Sequence, residues 1–511
     1  MRNVTESRTR LAIVALLAVA LATSACEGLV TSSPSPTASF VPSGTIDWKS
    51  CPVTDPVTGG NPELLCATIT VPRDYLTPDG PTIEIAVALL PAADQANKVG
   101  PLLLNFGGPG SSGINILAES GRGVVPAEIG NRFDLVSWDP RGVNRSAPVE
   151  CLTDTEMDDW AAMPGIPNRP TSTDWAAALN DAQWFADKCK AGTGEMLAYI
   201  GTTASARDME SIRVGLGVAK LDYLGFSYGT ALGAVYATLF PTSTGHMILD
   251  GARPPASTDE TEGEQAISFQ AALNRLFAWC DADSACPFGA GKSRAAFDTL
   301  MNSLDDKPIE LEDGRKLNSA MAFTGVFMTL YNRDFWDYAV QGLAGASEGD
   351  GYLLSAFADL NIDRAEDGTY KSNIVEAFFA INCIDSPTTP SIARYTAIYE
   401  KFVSKAPDFA AGQASSGLLC GVWPYKSADP LPAIVNGAGA APILVVGTTG
   451  DPATPYAWSQ RMADLLESGR LLTYVGEGHT GVGGKSACID EAAITFLISG
   501  TLPPEETRCN D

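Results

Sequence analysis

The chain has 511 residues, of which 60 are acidic and 34 are Lys or Arg, so its formal net charge is −26. Binding to a nucleic-acid backbone depends on an excess of Lys and Arg, so this charge argues against nucleic acid as a partner. The same charge disfavours docking onto an anionic lipid surface through a basic patch. Hydrophobic residues make up 45% of the chain, which excludes disorder over most of its length.

The first residues are typical of an export signal. Three arginines precede an unbroken apolar run at 11–22, and small residues follow the run. A basic start, a short apolar run and small residues before a cleavage site predict a secretory signal peptide over residues 1–25. The apolar run is too short for a membrane-spanning helix.

Cys26 stands where the cysteine of a bacterial lipoprotein is lipidated after cleavage. We therefore expect an exported protein that is held at the outer face of the cell membrane only through a lipid on Cys26. The alternative is plain secretion after cleavage at Ala25. Residues 26–44 are rich in Ser, Pro and Thr and are predicted to form a flexible tether.

The remaining cysteines indicate a disulfide framework. Without Cys26, ten cysteines are left, an even number that suits an oxidising compartment. Pairing sequence neighbours predicts five disulfides: Cys51–Cys66, Cys151–Cys189, Cys280–Cys286, Cys383–Cys420 and Cys488–Cys509. The chain has only two histidines and no CxxC pair, so a zinc site lacks ligands and we expect neither a metal nor a cofactor.

Several short apolar runs, bounded by Gly, Pro or Asp, are predicted to be strands buried on both faces of a parallel sheet. In chain order they lie at 65–71, 82–90, 101–108, 132–142, 221–227, 246–251, 441–451 and 470–479. Stretches with helical periodicity lie between them at 175–190, 204–216 and 230–239. Strands that alternate with helices predict an α/β fold with right-handed crossovers.

This alternation stops after Asp250. Up to the strand near Pro442 the chain is predicted to be mainly amphipathic helix, for example at 273–280, 323–331, 335–343 and 374–380. We interpret residues 254–430 as a mainly helical cap inserted into the α/β unit. The core is then formed by residues 45–253 and by a C-terminal part, residues 431–511.

A nucleophile motif lies at Gly225–Gly229, with the sequence GFSYG. It follows a predicted strand and opens a predicted helix, which is the context that gives G-x-S-x-G its chemical meaning. A second match at 345–349 has no strand before it and is predicted to be a loop. The context therefore identifies Ser227 as the candidate nucleophile.

A serine nucleophile needs a base, and the base needs a group that orients it. Asp451 and His479 each follow a predicted strand, so both are expected at the C-terminal edge of the sheet, as is Ser227. The chain order Ser, Asp, His is that of the α/β-hydrolases. We therefore predict a triad of Ser227, Asp451 and His479.

Other residues compete for these roles less well. His246 opens a strand, so it is expected at the opposite edge of the sheet in a structural role. Asp139 and Asp250 also lie near strand ends, but Asp139 precedes the nucleophile in the chain and Asp250 would require a different position for the acid.

An acyl-transfer site also needs N–H donors for the developing oxyanion. The sequence GGPG at 107–110 follows a predicted strand, and glycines let backbone N–H groups point into a site without interference from a Cβ. We predict an oxyanion hole formed by Gly107, Gly108 and the N–H of Tyr228, directly after the nucleophile.

The segments NFGGPGSSG, SWDPRGVNRS, GFSYGT, GDPATPYAWS and GEGHTG, in this order, resemble those of the secreted tripeptidyl aminopeptidases of actinobacteria. That family belongs to the proline-iminopeptidase-like serine peptidases, and the resemblance runs from about residue 45 to the C-terminus. It implies an α/β-hydrolase core with a helical cap. It also implies release of short peptides, typically tripeptides, from a free N-terminus, with Ser227 as nucleophile, Asp451 as orienting acid and His479 as general base and acid.

In proline iminopeptidases a histidine precedes GGPG, whereas this chain has Phe106 at that position. Specificity for a single proline is therefore not expected. Some members of the group are described as carboxylesterases, and a carboxylesterase or lipase with the same triad stays the alternative. An inactive binding scaffold is hard to reconcile with a complete triad and an oxyanion loop in register.

An aminopeptidase must also hold a protonated amine, which calls for a carboxylate in the cap. Glu262, Glu264 and Asp385 are the candidates, and each could equally be a solvated surface acid. The expected partners are peptides with a free N-terminus, and the chain is expected to be a monomer.

Overall fold

The computed structural model describes residues 45–510; the predicted signal peptide, Cys26 and the tether lie outside this range. Twelve strands occur in it: β1 (Lys49–Ser50), β2 (Leu65–Pro72), β3 (Thr82–Leu90), β4 (Gly100–Asn105), β5 (Phe133–Trp138), β6 (Leu221–Phe226), β7 (Thr244–Asp250), β8 (Ile309–Glu310), β9 (Lys316–Leu317), β10 (Ile443–Gly450), β11 (Gly469–Glu477) and β12 (Arg508–Cys509).

The α-helices of the same range are α1 (Gly113–Ser120), α2 (Ala127–Arg132), α3 (Asp154–Ala161), α4 (Ser172–Gly192), α5 (Thr202–Leu216), α6 (Tyr228–Leu239), α7 (Asp259–Ala282), α8 (Ser293–Asp306), α9 (Ser319–Thr329), α10 (Trp336–Glu348), α11 (Tyr352–Asn361), α12 (Ile374–Asp385), α13 (Ile392–Phe402), α14 (Ala410–Gly421), α15 (Tyr456–Leu465) and α16 (Ala487–Ser499).

Ten strands form one sheet in the order β1-β2-β3-β5-β4-β6-β7-β10-β11-β12. The first three neighbouring pairs are antiparallel, and every pair from β5–β4 to β11–β12 is parallel. Side chains from the central strands, such as Leu103, Leu224 and Val445, are fully buried, because helices cover both faces of a parallel sheet. The predicted α/β-hydrolase architecture is confirmed.

The strand order places the candidate site. β6, β7, β10 and β11 are neighbours and run parallel, so their C-terminal ends meet at one edge of the sheet. Residues that directly follow β6, β10 and β11 are therefore brought together although the chain separates them widely. This edge is where ligands bind in open α/β sheets.

Helices α7 to α14 lie between β7 and β10, and most of them share an apolar core of their own. Phe269, Leu273, Phe277 and Leu343 are among its buried side chains. Helix α12 instead packs Ala377 and Ile381 into the apolar cluster of the main sheet. A short antiparallel hairpin, β8–β9, interrupts this mainly helical region and was absent from the sequence expectation. The limits of 254 and 430 for a separate cap stay a prediction.

Helix α4, which precedes β6 in the chain, packs against the helical region between β7 and β10. Trp175 on α4 packs in one apolar cluster with Tyr395 on α13 and Leu418 on α14. The pattern at 175–190 correctly predicts a helix there, but it contains no information on which layer that helix joins.

The second G-x-S-x-G match is not a loop, so that expectation is wrong. Ser347 lies in the last turn of α10, where its hydroxyl donates to the carbonyl of Leu343 (2.9 Å). Gly345 is accommodated inside the helix, and Gly349 ends it with a left-handed backbone (φ 94°), as glycine often does at this position. No strand precedes the match, which removes it as a nucleophile site.

Five disulfides join the same cysteines that the sequence order pairs: Cys51–Cys66, Cys151–Cys189, Cys280–Cys286, Cys383–Cys420 and Cys488–Cys509. In residues 45–510 no helix has the length and apolar character needed to cross a bilayer. Over the same range, no group of three or more His, Cys, Asp or Glu side chains is arranged to hold a metal ion.

Candidate active site

Ser227 lies in the turn between β6 and α6 with a positive backbone φ (φ 55°, ψ −121°). A non-glycine residue in this region is strained and is kept there only when its surroundings determine the conformation. Its N–H donates to the carbonyl of Asp250 (2.9 Å), and its own carbonyl accepts from the N–H (2.9 Å) and hydroxyl (2.6 Å) of Thr230. These bonds hold the serine at the end of its strand.

The two glycines of the motif are required by close packing. A Cβ on Gly225 would lie 2.5 Å from the carbonyl oxygen of Gly229. A Cβ on Gly229 would lie 2.7 Å from Oδ1 of Asn105, at the end of β4. The first turn of α6 can therefore approach the end of β4 only because Gly225 and Gly229 have no side chain.

Asp451 directly follows β10 and is 1% exposed. Its Oδ1 accepts from the N–H groups of Ala453 and Thr454 (both 2.9 Å), and its Oδ2 accepts from the hydroxyl of Thr454 (2.9 Å). Nδ1 of His479 lies 3.0 Å from Oδ1 and 2.9 Å from Oδ2. A carboxylate held in this way orients the imidazole and sets Nδ1 as the protonated nitrogen.

His479 follows β11 by one residue, and its N–H donates to the carbonyl of Tyr331 (2.7 Å). Its ring lies nearly perpendicular to the Tyr331 ring (81°), with centroids 5.6 Å apart. Nε2 is buried and has no hydrogen-bond partner within residues 45–510. With Nδ1 directed to Asp451, Nε2 is the nitrogen available to take a proton.

The histidine ring also lies close to the nucleophile turn. A Cβ on Gly251 would be 3.1 Å from Cε1 of His479. Gly251 directly follows Asp250, whose carbonyl accepts the N–H of Ser227. The three predicted triad residues are therefore gathered at one edge of the sheet.

The GGPG loop packs against the same turn. A Cβ on Gly107 would lie 2.9 Å from the Cβ of Ser227 and 3.1 Å from the N of Tyr228. The N–H of Gly107 donates to Oδ1 of Asn105 (3.0 Å), so this donor is already used. The N–H groups of Gly108 and Tyr228 are left as the candidate pair for an oxyanion.

Phe106 occupies the position before GGPG at which proline iminopeptidases have histidine. Its ring stacks on Phe226, the residue before the nucleophile, with centroids 6.0 Å apart and planes within 8°. This apolar contact joins the start of the GGPG loop to the end of β6.

His246 lies at the start of β7, away from the C-terminal edge. Its N–H donates to Oδ1 of Asp222 (2.7 Å), and its Nδ1 lies 3.0 Å from the carbonyl of Leu497. These contacts are those of a structural residue.

The two other acids near strand ends have structural partners. Asp139 is buried and accepts from the hydroxyl of Ser112 (2.5 Å), and burial raises its pKa against the effect of Arg145. Asp250 is also buried, and burial raises its pKa to about 6. Its carboxylate accepts from the N–H groups of Gly481 (2.9 Å) and Val482 (2.8 Å), so it holds the loop that follows His479.

Two of the three candidate amine ligands already have charged or backbone partners. Arg461 holds the pKa of Glu264 below its usual range through hydrogen bonds from its guanidinium, and Nε1 of Trp458 donates to the same carboxylate (2.6 Å). Asp385 accepts from the N–H (3.0 Å) and hydroxyl (2.5 Å) of Thr202, and so caps the first turn of α5. Burial raises the pKa of Asp385 to about 6.

Glu262 has neutral hydrogen-bond partners, including Nε2 of Gln413 (2.8 Å). Burial raises its pKa, and the positive charge of Arg253 acts in the opposite direction. A carboxylate whose hydrogen-bond partners are neutral retains capacity for a cation. Glu262 is therefore the candidate that the surrounding contacts leave free for an amine.

Sequence reasoning missed Thr454 and Asn105. The Thr454 hydroxyl lies 3.2 Å from Nδ1 of His479 as well as 2.9 Å from Asp451. A Thr three residues after an Asp, at the start of a turn, is a local signal that could have identified it. No sequence signal indicates that Asn105 would hold the Gly107 N–H.

Known proteins similar to this chain include peptidases and a carboxylesterase. A family model described as TAP-like protein matches residues 406–509, which include Asp451 and His479. Serine protease Hip1 of Mycobacterium tuberculosis is 36% identical over 488 residues, 91% of each chain. Carboxylesterase B of the same organism is 36% identical over 472 residues, 90% of this chain and 89% of the relative.

Tripeptidyl aminopeptidase of Streptomyces lividans is 28% identical over 473 residues, 91% of this chain and 86% of the relative. These matches extend over nearly the whole chain, so they include the core and the cap region together. The chain belongs to the family of α/β-hydrolase serine hydrolases that contains serine protease Hip1 and the tripeptidyl aminopeptidases.

Proposed function

We propose that this protein is an exported serine exopeptidase that releases short peptides, of three residues, from free N-termini. The observation that carries the proposal is the hydrogen-bonded pair of Asp451 and His479 beside a positive-φ Ser227, in a chain related to a serine protease and a tripeptidyl aminopeptidase.

In the proposed reaction, Ser227 Oγ attacks the carbonyl carbon of the scissile peptide and its proton passes to Nε2 of His479. Asp451 stabilises the imidazolium through Nδ1–H. The N–H groups of Gly108 and Tyr228 bind the oxyanion of the tetrahedral intermediate. The C–N bond then breaks, and the leaving amine takes the proton from Nε2.

An acyl-enzyme on Ser227 remains. Water attacks its carbonyl, His479 takes a proton from that water and returns it to Ser227 Oγ, and the short peptide leaves as a carboxylic acid. Glu262 is proposed to hold the protonated N-terminus of the substrate during both steps, since its hydrogen-bond partners are neutral.

The second candidate function is that of a carboxylesterase. It is favoured by one observation, the 36% identity to a relative named Carboxylesterase B. Both functions need the same triad and oxyanion donors, so the difference lies in the substrate pocket.

Turnover of three chromogenic substrates separates the two functions: a tripeptide with a free amine, a single amino acid and a short acyl ester. An exopeptidase of the proposed type cleaves the tripeptide with the largest kcat/KM. Ser227→Ala should abolish every activity and fluorophosphonate labelling, with the fold retained. A Ser227→Ala protein that keeps its activity refutes the triad, whereas preference for the ester refutes only the peptidase.

We also propose that the mature chain is a monomer held at the cell surface by a lipid on Cys26, followed by the tether 26–44. The position of Cys26, directly after a short apolar run and three small residues, supports this. Cys26→Ser should release the protein into the medium and abolish incorporation of labelled fatty acid. Fatty-acid labelling that persists in the variant would refute the anchor.

A further inference from the structure

Cap helix α7 contacts the loop that carries Asp451 along one face. Nε2 of Gln265 donates to the carbonyl of Ala453 (2.6 Å), and the hydroxyl of Ser268 donates to the carbonyl of Asp451 (2.7 Å). The third contact comes from Arg275, whose Nη2 donates to the carbonyl of Gly450 (3.1 Å). Spacings of three and seven residues place these side chains on one side of a helix.

These carbonyls lie where β10 ends, so the sheet no longer supplies all their hydrogen bonds. Buried backbone carbonyls need partners from elsewhere in the fold. The cap helix supplies side-chain donors to three carbonyls within four consecutive residues, and Asp451 is one of those residues.

Arg275 extends this contact to the strand that leads to His479. Its Nε donates to the carboxylate of Glu477 (2.9 Å), and Glu477 is paired with Gly450 between β11 and β10. One guanidinium therefore joins the ends of the two strands from which the proposed acid and base emerge.

The base is in contact with the cap as well. Tyr331, two residues beyond the end of α9, accepts the N–H of His479 (2.7 Å) and packs against its ring. Both members of the Asp451–His479 pair thus have their backbone bonded to the cap and not only to the core.

We propose that Gln265, Ser268 and Arg275 are positioning residues that hold the Asp451 loop against the His479 loop. The inference rests on the proposed role of Asp451. Proton transfer is sensitive to displacements of an ångström or less. Loss of these donors is therefore expected to reduce the chemical step more than substrate binding.

The test compares Ser268→Ala and the double variant Ser268→Ala/Arg275→Met with the wild-type protein. We expect kcat to fall at least fivefold in the single variant and at least twentyfold in the double variant, with KM within twofold. The low-field NMR signal of the His479 Nδ1 proton should broaden or shift. Ser268→Thr, which keeps the hydroxyl, should restore most of kcat.

Glu260→Gln is the matched control, because Glu260 lies on the same helix in an exposed ion pair with Lys401 and should leave kcat unchanged. A folded double variant with kcat within twofold of the wild type, or one that raises only KM, overturns the inference. If the double variant does not fold, Ser268→Ala alone decides. An active Ser227→Ala protein in the same assay would instead refute the proposed function.

Discussion

At the scale of single residues, the two histidines have opposite surroundings. His479 has a buried carboxylate at Nδ1 and a buried Nε2 without a hydrogen-bond partner in the described range. His246 meets the carbonyl of Leu497 through Nδ1 and packs on the Phe496 ring. The two positions are therefore expected to respond differently to the same substitution.

His479→Gln should lower kcat/KM at least a hundredfold, because it removes the proton acceptor of the proposed mechanism. His246→Gln should leave kcat/KM within twofold, since that ring contacts only structural groups. Steady-state kinetics on one tripeptide substrate measure both effects, with thermal unfolding as the check on folding. Equal losses in the two variants would refute the assignment of the base.

Asp385 predicts a pH effect on stability. Burial raises its folded-state pKa to about 6, against the hydrogen bonds of Thr202 and the charge of Arg253. Because this value exceeds that of an unfolded chain, protonation favours the folded state. The contribution is complete below about pH 4 and is lost as the pH rises to about 6, a difference of about 3 kcal/mol.

Asp385→Asn keeps an acceptor for the N–H of Thr202 but cannot ionise. Its free energy of unfolding, relative to the wild type, should therefore increase between pH 4 and pH 7. Urea unfolding at several pH values measures the difference. A relative stability that does not change with pH would contradict the prediction. An increased KM of the Asp385→Asn variant for free-amine peptides would instead indicate that Asp385 binds the substrate amine.

At the scale of elements, helix α6 approaches strand β4 through Gly229. A Cβ there would lie 2.7 Å from Oδ1 and 2.9 Å from the carbonyl oxygen of Asn105, and Oδ1 of Asn105 accepts the N–H of Gly107. A side chain at this position must therefore displace both the helix and the oxyanion loop.

Gly229→Ala should lower kcat at least tenfold and destabilise the fold by about 1–3 kcal/mol, the usual cost of overpacking. Gly412→Ala is the control, because Gly412 lies in helix α14 and a Cβ there would meet nothing within 4 Å. That change should leave kcat unaltered. Steady-state kinetics and chemical unfolding measure kcat and the free energy of unfolding of both variants. Comparable losses in Gly229→Ala and Gly412→Ala would contradict the prediction.

At the scale of the whole molecule, helices α7 to α14 lie between β7 and β10, and residues of this region bond to the loops of the proposed site. A cap that closes one end of a pocket fixes how many residues fit between a captured amine and Ser227. An extended residue spans about 3.3 Å, so a tripeptide needs about 10 Å.

N-acetylation of a good tripeptide substrate should lower kcat/KM at least tenfold, or about 1.4 kcal/mol of lost transition-state binding. Glu262→Gln should lower kcat/KM for the free peptide and leave that of the acetylated peptide nearly unchanged. Steady-state kinetics of the wild type and of Glu262→Gln, each with the free and the acetylated peptide, measure both effects. Similar rates for free and acetylated peptides would favour the esterase and leave the triad unaffected.

The sequence alone determined the features that depend on local information. Apolar runs identified the longer strands of the main sheet, and helical periodicity identified several of the helices, because burial sets the pattern of neighbouring apolar residues. The strand before Ser227 and the helix after it distinguished this candidate motif from the match around Ser347. Asp451 and His479 were predicted as triad residues by the same argument, since each follows the end of a predicted strand.

Only the tertiary structure decided which charged groups remain available, because a carboxylate's partners come from distant parts of the chain. Arg461 pairs with Glu264 across 197 residues, and Thr202 binds Asp385 across 183 residues. The bonds from α7 to the Asp451 loop have the same origin. No local pattern contains such contacts, and they arise only when the sheet edge and the cap pack together.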